Sequence, residues 1–206
     1  VDRLEDKMGL ITLALTMAYK AGVNYTDTLG TTAIWDTILF RELANKGIVI
    51  PPNLTKNKPE YPGGYVKSPQ VGIHDWVVSF DLASLYPNII VQWNMSPETI
   101  MDGVFKSGVT VESVLAGVDV DCDANQTIAA NGIAFRTDEV GQIPKIIKDY
   151  YTERKVIKKK QLEAEKFVEE NGKTYQLTKD IGQLENEQMS IKILLNSLYG
   201  AMGNQW

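Results

Sequence analysis

The 206-residue chain is poor in the residues on which several common chemistries depend, having one cysteine and one histidine. Cys122 has no internal partner for a disulfide, and no Cys/His set stands at zinc-ligand spacing. Disulfide scaffolds and zinc modules are therefore excluded, and a reducing compartment is expected. His74 has no acidic or nucleophilic partner readable from the sequence, so Ser-His-Asp hydrolysis and histidine-metal chemistry lack support and a structural role is expected for it. Long apolar runs are lacking too: the stretch from Gly9 to Met17 is too short to span a bilayer. The acidic start VDRLEDKMGL has the wrong charge order for a secretory signal, and a soluble, cytoplasmic protein is expected. Positive charge is not in excess, since the formal net charge is −5. Any contact with a polyanion must then come from local clusters of Lys and Arg. No fixed-period repeat and no low-complexity tract occurs, which argues against solenoids and disorder.

What is present is an apolar fraction of 44%, enough to bury one generous core or two small ones. Leu4, Met8, Ile11, Leu15 and Ala18 recur at helical intervals over residues 4–20, and Trp35, Ile38, Leu39 and Leu43 do so over 31–47. Thr31 or Thr32 can cap the start of the second run and Gly47 its end. The following VIPPNLTKNKPEYPGGYVKSP reads as an extended loop. In HDWVVSFD, residues 74–81, alternation predicts a strand that delivers Asp81 at its end on the less apolar face. Pro87 disfavours an α conformation at Tyr86, so a defined bend is expected there.

Further along, Ser96-Pro97 starts a helical turn and TVESVLAG is a short helix ended by Gly117. Asn131-Gly132 marks a hairpin between short β-type runs, part of a small antiparallel sheet. A long helix is predicted from Pro144 to about Glu170, closed by Asn171-Gly172. A second runs from a Thr178 cap to about Tyr199, with Gly200 as terminator. Helices of about 20 to 27 residues would project on the order of 30 to 40 Å. The expected class is α+β, with a protruding antiparallel helical hairpin.

Three constellations can carry chemistry. Asp81 at a strand end is a hard-oxygen ligand suited to Mg²⁺, and backbone N–H groups of the following turn can cradle phosphate oxygens. The ordinary alternative is a surface aspartate opening a turn; the nearby Tyr86 favours the site. On the long helix Arg154 and Lys158 stand four apart and share a face, and with Lys148 and Tyr151 they could form a basic stripe suited to a polyphosphate. Lys155, Lys159 and Lys160 read as a solvated face. On the last helix Lys192, Asn196 and Tyr199 form a polar stripe opposite Ile191, Leu194, Leu195 and Leu198. Amphipathicity alone explains that stripe, yet a lysine there facing Arg154 and Lys158 would make three cations converge on one anion. DVDCDANQTIAA begins like a calcium loop, but Ala124 replaces the required glycine and Ala130 the bidentate glutamate, so no calcium site is read.

Together these segments resemble the family B replicative DNA polymerases, particularly those of large tailed bacteriophages. DLASLYP (Asp81–Pro87) matches that family's first polymerase motif, D-x-x-S-L-Y-P, and KILLNSLYG (Lys192–Gly200) matches its second, K-x-x-x-N-S-x-Y-G. YPGG (Tyr61–Gly64) is similar to its Y-x-G-G template-contact motif. The resemblance implies that residues 1–142 are an N-terminal segment with a partial palm and residues 143–206 the fingers. It implies transfer of dNMP from a dNTP to a primer 3′-OH on a template, with two Mg²⁺ ions.

On the same basis Asp81 would hold the metal, helped by the Leu82 carbonyl, and Ser84 and Leu85 would offer backbone N–H groups to the triphosphate. Tyr86 would close the space beside C2′ of the incoming sugar and exclude ribonucleotides. Arg154, Lys158, Lys192 and Asn196 would take the phosphates, Tyr199 would pack at the nascent base pair, and Tyr61, Gly63, Gly64 and Gly200 would contact DNA. The family's further D-T-D motif does not occur in the sequence, and its thumb and proofreading exonuclease have no counterpart. A piece of a longer protein is therefore expected, inactive or nearly so alone. Its implied partners are primer-template DNA, a dNTP, the C-terminal polymerase part on the same or a separate chain, and a sliding clamp in the full-length protein. Two other classes stand beside this reading: a non-catalytic nucleotide- or DNA-binding module, and a scaffold that pairs its helices with another chain.

Overall fold

The computed structural model describes residues 2–50, 64, 66–105 and 108–203. The α+β expectation holds. In chain order come α1 (Asp2–Met8), α2 (Leu10–Ala21), α3 (Thr31–Ala44), α4 (Leu85–Gln92), β1 (Ile100–Phe105), α5 (Val111–Leu115), β2 (Gln126–Ile128), β3 (Ile133–Arg136), α6 (Gln142–Asn171) and α7 (Tyr175–Gly203).

The core lies where α2, α3 and α4 meet the long pair α6 and α7. Ala21, Ile34, Trp35, Ile38, Ile90, Ile147, Ile191, Leu194, Leu195 and Leu198 are buried together there. At about 25 cal/mol per Å² of apolar surface, each of the Ile and Leu side chains among them contributes roughly 1.5–3 kcal/mol. Trp35 is also a fastener, since its indole N–H donates to the Leu194 carbonyl at 3.2 Å and to the Ser197 hydroxyl at 3.1 Å. Lys20 of α2 pairs with Glu153 of α6 and lies 5.3 Å from the Tyr150 ring centroid. Burial raises the Tyr150 hydroxyl above the ordinary tyrosine value.

The N-terminal helix predicted over 4–20 is two helices. Gly9 takes φ 59° and ψ 32°, a left-handed conformation that interrupts the ladder at little steric cost to glycine. Leu4, Met8, Ile11 and Leu15 are about half exposed, and α2 buries Met17, Ala18 and Ala21 instead. The N-cap of α3 is Gly30, with no side-chain cap, in place of Thr31 or Thr32. Of the loop predicted after α3, residues 51–63 and 65 lie outside the described residues.

The strand predicted over 74–81 does not form. Residues 66–82 are irregular and exposed, and Trp76 has φ 58°, which breaks the two-residue alternation. A strand is stabilised by a neighbour on its ladder, and the described sheet is β1-β3-β2. The second correction follows directly: Tyr86 is helical. Pro87 occupies the first turn of α4, where its missing N–H has no intrahelical acceptor to lose, so the restriction on the preceding residue yields.

The sheet is antiparallel, with Ile100 opposite Phe135 and Thr127 opposite Phe135 on the other side of β3. Gly132 at φ 83° makes the predicted Asn131-Gly132 turn between β2 and β3. The sheet is tied to the end of α4 by the Trp93 indole N–H, which donates to the Ile128 carbonyl at 3.0 Å, and by the Thr127 hydroxyl, which donates to the Trp93 carbonyl at 2.7 Å.

The helical turn at Pro97–Thr99 and the helix α5 stand where predicted. A polar clasp beyond α4 caps α6 from more than forty residues away. The Asn94 amide donates to the carbonyls of Arg136 and Glu139, and its oxygen accepts from the Gly141 N–H at 2.9 Å. The Ser96 hydroxyl accepts from the Ile143 N–H, and the Glu98 carboxylate accepts from the Gln142 N–H. These contacts satisfy N–H groups that a helix start leaves without partners. Burial pushes the Glu98 carboxyl up, but the Gln142 amide, the Ser96 hydroxyl and Lys46 together hold it below the ordinary glutamate value.

The two long helices form the predicted antiparallel pair, closed at Gly172 with φ 89°. The α7 start is served by Thr174, whose hydroxyl accepts from the Leu177 N–H, one turn before the predicted Thr178. Gly200 does not end α7, which continues to Gly203. The final turn costs glycine only about 1 kcal/mol relative to alanine.

Candidate active site

The packing of α4 creates the site. Pro87 and Ile90 are buried, Ile90 in the core with residues of α6 and α7, so the N-terminus of α4 and the turn before it are held beside the long helices. Ser84, the N-cap, adopts φ 54° and ψ 46°, a left-handed conformation uncommon for a residue with a side chain. Asn88 stabilises that turn: its amide donates to the Ala83 carbonyl at 3.0 Å and the Ser84 carbonyl at 3.1 Å.

The result is an open cleft of about 840 Å³. One wall is Phe80, Asp81, Leu82, Ala83, Ser84, Leu85 and Tyr86, and the other is Arg154 and Lys158 from α6 with Lys192 and Asn196 from α7. Arg154 with Lys158 and Lys192 with Asn196, each pair four apart in sequence, thus line one cleft together with Asp81. Tyr199 lies beside them, its ring stacked on Tyr86 with centroids 4.6 Å apart and planes at 15°.

Among the described residues no carboxylate forms a salt bridge with Arg154, Lys158 or Lys192. Three unneutralised cations in one cleft repel one another, and at about 4 Å an anion gains roughly 4 kcal/mol per charge at an effective dielectric of 20. Such a wall suits an oxyanion with several charges.

Other predicted residues fall elsewhere. Tyr151 packs against the core and carries Lys155 at 4.5 Å from its ring centroid, so neither Tyr151 nor Lys148 lines the cleft. Lys159 pairs with Glu163 at 3.8 Å on the solvated face. Gly200 is exposed on α7, and neither it nor Gly64 has anything within 4 Å of where a Cβ would stand. Tyr61 and Gly63 lie outside the described residues. His74 is exposed, its ring nitrogen 2.9 Å from the Gln70 carbonyl.

Two supporting residues escaped the sequence reading. Asn88 could have been found as a short amide side chain four residues after Ser84, able to bond back to the turn. Gln188 stands one helical turn before Lys192, is buried, and accepts from the Arg154 Nε–H at 3.3 Å.

Magnesium takes oxygen donors and keeps several waters or substrate phosphates, with one or two carboxylates from the protein. The Asp81 carboxylate and the Leu82 carbonyl fit one ion that arrives with a polyphosphate. Among the described residues no group of three or more His, Cys, Asp or Glu is placed to hold a metal ion.

The family model for DNA polymerase family B matches residues 25–206. The chain belongs to that family. It is 30% identical, over an alignment of 244 residues, to the DNA-directed DNA polymerases of Enterobacteria phage T4 and of Escherichia phage RB69, covering 99% of this chain and 27% of each relative. DNA polymerase 1 of Pyrococcus abyssi is 33% identical over 143 residues, 69% of this chain and 15% of the relative. The fold matches the family B DNA polymerase from Pyrobaculum calidifontis with a TM-score of 0.65 at 22% identity, over 97% of this chain and 23% of that one. The chain thus spans about a quarter of the length of the phage relatives. Among the described residues no helix is long and apolar enough to cross a membrane.

Proposed function

We propose that the chain is the nucleotide-binding part of a DNA-directed DNA polymerase, with a partial palm in residues 1–142 and the fingers in 143–206. The observation that supports this reading most strongly is the single cleft that gathers Asp81, the turn through Tyr86, and the four polar residues of α6 and α7.

In this reading a dNTP lies with its phosphates toward Arg154, Lys158, Lys192 and Asn196. Arg154 offers a planar, bidentate fork for phosphate oxygens, and the two lysines act as point charges that offset the charge growing on the leaving pyrophosphate. The N–H groups of Ser84 and Leu85 stand at the start of α4, where unpaired amides favour an anion. The Tyr86 ring, stacked on Tyr199, occupies the side of the cleft where the sugar would lie and would leave no room for a 2′-hydroxyl. Asp81 and the Leu82 carbonyl would hold Mg²⁺, which when bound stabilises charge on the reacting phosphate oxygens. Gly64 and Gly200, without side chains, would let DNA approach their backbone closely.

The partners on this reading are a primer-template DNA and the remaining polymerase segments, with the primer 3′-oxygen as the attacking group at the α-phosphorus. Primer extension tests it in the chain combined with the C-terminal portion of a family B polymerase. Mg²⁺-dependent extension is expected, and Asp81→Ala should lower it by on the order of 10³-fold, about 4 kcal/mol of transition-state stabilisation. Extension that survives Asp81→Ala undiminished would refute the assignment.

A further inference from the structure

The Arg154 guanidinium does not meet the cleft alone. Its Nε–H donates to the Gln188 side-chain oxygen at 3.3 Å, and Gln188 is only 7% exposed. Bonding at Nε restricts rotation of the planar group about its last bonds and leaves the two Nη groups as a pair, the edge that matches two phosphate oxygens. The helical register makes this a shared rung: Gln188, Lys192 and Asn196 repeat every four residues along α7, facing Arg154 and Lys158, four apart on α6. The chemistry of the acceptor matters as well. A carboxylate here would pair with Arg154 and compete with an incoming anion, whereas a neutral amide orients the cation and leaves its charge available.

We infer that Gln188 is a positioning residue that presents the guanidinium of Arg154 to a polyphosphate in the cleft. This rests on the reading of the cleft as a nucleotide site and adds a residue outside its wall. A bond of this kind needs no ligand to form, so Arg154 is oriented before an anion arrives and loses less side-chain entropy on binding it.

The test is titration calorimetry of sodium tripolyphosphate, with and without Mg²⁺, into the 206-residue chain. Gln188→Met keeps the volume and removes the acceptor, and it should weaken binding roughly 5- to 10-fold. Gln188→Glu, nearly isosteric, should weaken it at least as much, because the new carboxylate holds the guanidinium. Arg154→Lys keeps the charge and removes Nε, and in that background Gln188→Met should change affinity less than about twofold. A merely structural glutamine would instead lower the melting temperature and weaken binding equally in both backgrounds. Either that result, or Gln188→Glu binding as tightly as wild type, overturns the inference while leaving the cleft assignment intact. If Gln188→Met does not fold, Gln188→Glu alone decides on the same criterion. A wild-type chain that retains no tripolyphosphate rejects the cleft assignment itself, and this inference with it.

Discussion

At the start of α6 the Glu98 carboxylate accepts from the Gln142 amide and the Ser96 hydroxyl. Its folded-state pKa lies below the ordinary value of 4.5 despite the opposing effect of burial. The unfolded chain therefore binds the proton first, so the stability Glu98 contributes is present above about pH 4.5 and is lost as pH falls through the folded value. Replacing it by Gln, with urea unfolding followed from pH 6 to pH 3, should flatten this part of the profile, a loss of less than about 1 kcal/mol because the group is largely screened by water. The cations of the cleft were legible at this scale, because Arg154 with Lys158 and Lys192 with Asn196 obey helical spacing. Gln188 was not, since an amide inside a helix pattern carries no signal until its partner on another helix is known, whereas Asn88 was open to reading through its short spacing from Ser84.

The junction of Asn94, Ser96, Thr99 and Gly141 shows how elements are locked together. A Cβ at Gly141 would stand 2.6 Å from the Ser96 Cβ and 3.2 Å from the Thr99 Cγ2. Gly141→Ala should therefore cost about 1–3 kcal/mol by overpacking, measurable as a lower urea midpoint with an unchanged slope. Trp35 binds α3 to α7 through burial and its indole N–H. Trp35→Ala should cost about 3–5 kcal/mol in the same experiment, and Trp35→Phe less. Element prediction succeeded where local chemistry is decisive, as in the Asn131-Gly132 hairpin and the two long helices. It failed at Tyr86, where Pro87 fits the first turn of a helix, and at 74–81, where alternation reported strand character but no described strand pairs with it.

For the molecule as a whole, the segment before the cleft is an apolar stretch left open to water. Ile73, Trp76 and Phe80 are 91% or more exposed, with Val77 and Val78 largely so. A contiguous apolar stretch of this kind favours association. Light scattering should detect concentration-dependent oligomers of the chain, and Trp76→Ser combined with Phe80→Ser should reduce them; unchanged oligomers would locate the contact elsewhere. Net charge gave no hint of the cleft, because a total of −5 conceals where the positive groups are gathered.

The amino-acid order alone determined which residues share a helix face, since 3.6 residues per turn is a property of the backbone, and its motifs placed the chain among the family B polymerases. It also marked the turns, where the φ preferences of glycine and asparagine act within a few residues. Only packing decided that the faces of α6 and α7 look onto the Asp81 turn. That arrangement depends on the burial of Pro87 and of Ile90, the latter in a core shared with residues of α2, α3, α6 and α7, and contacts across such separations leave no periodicity to read.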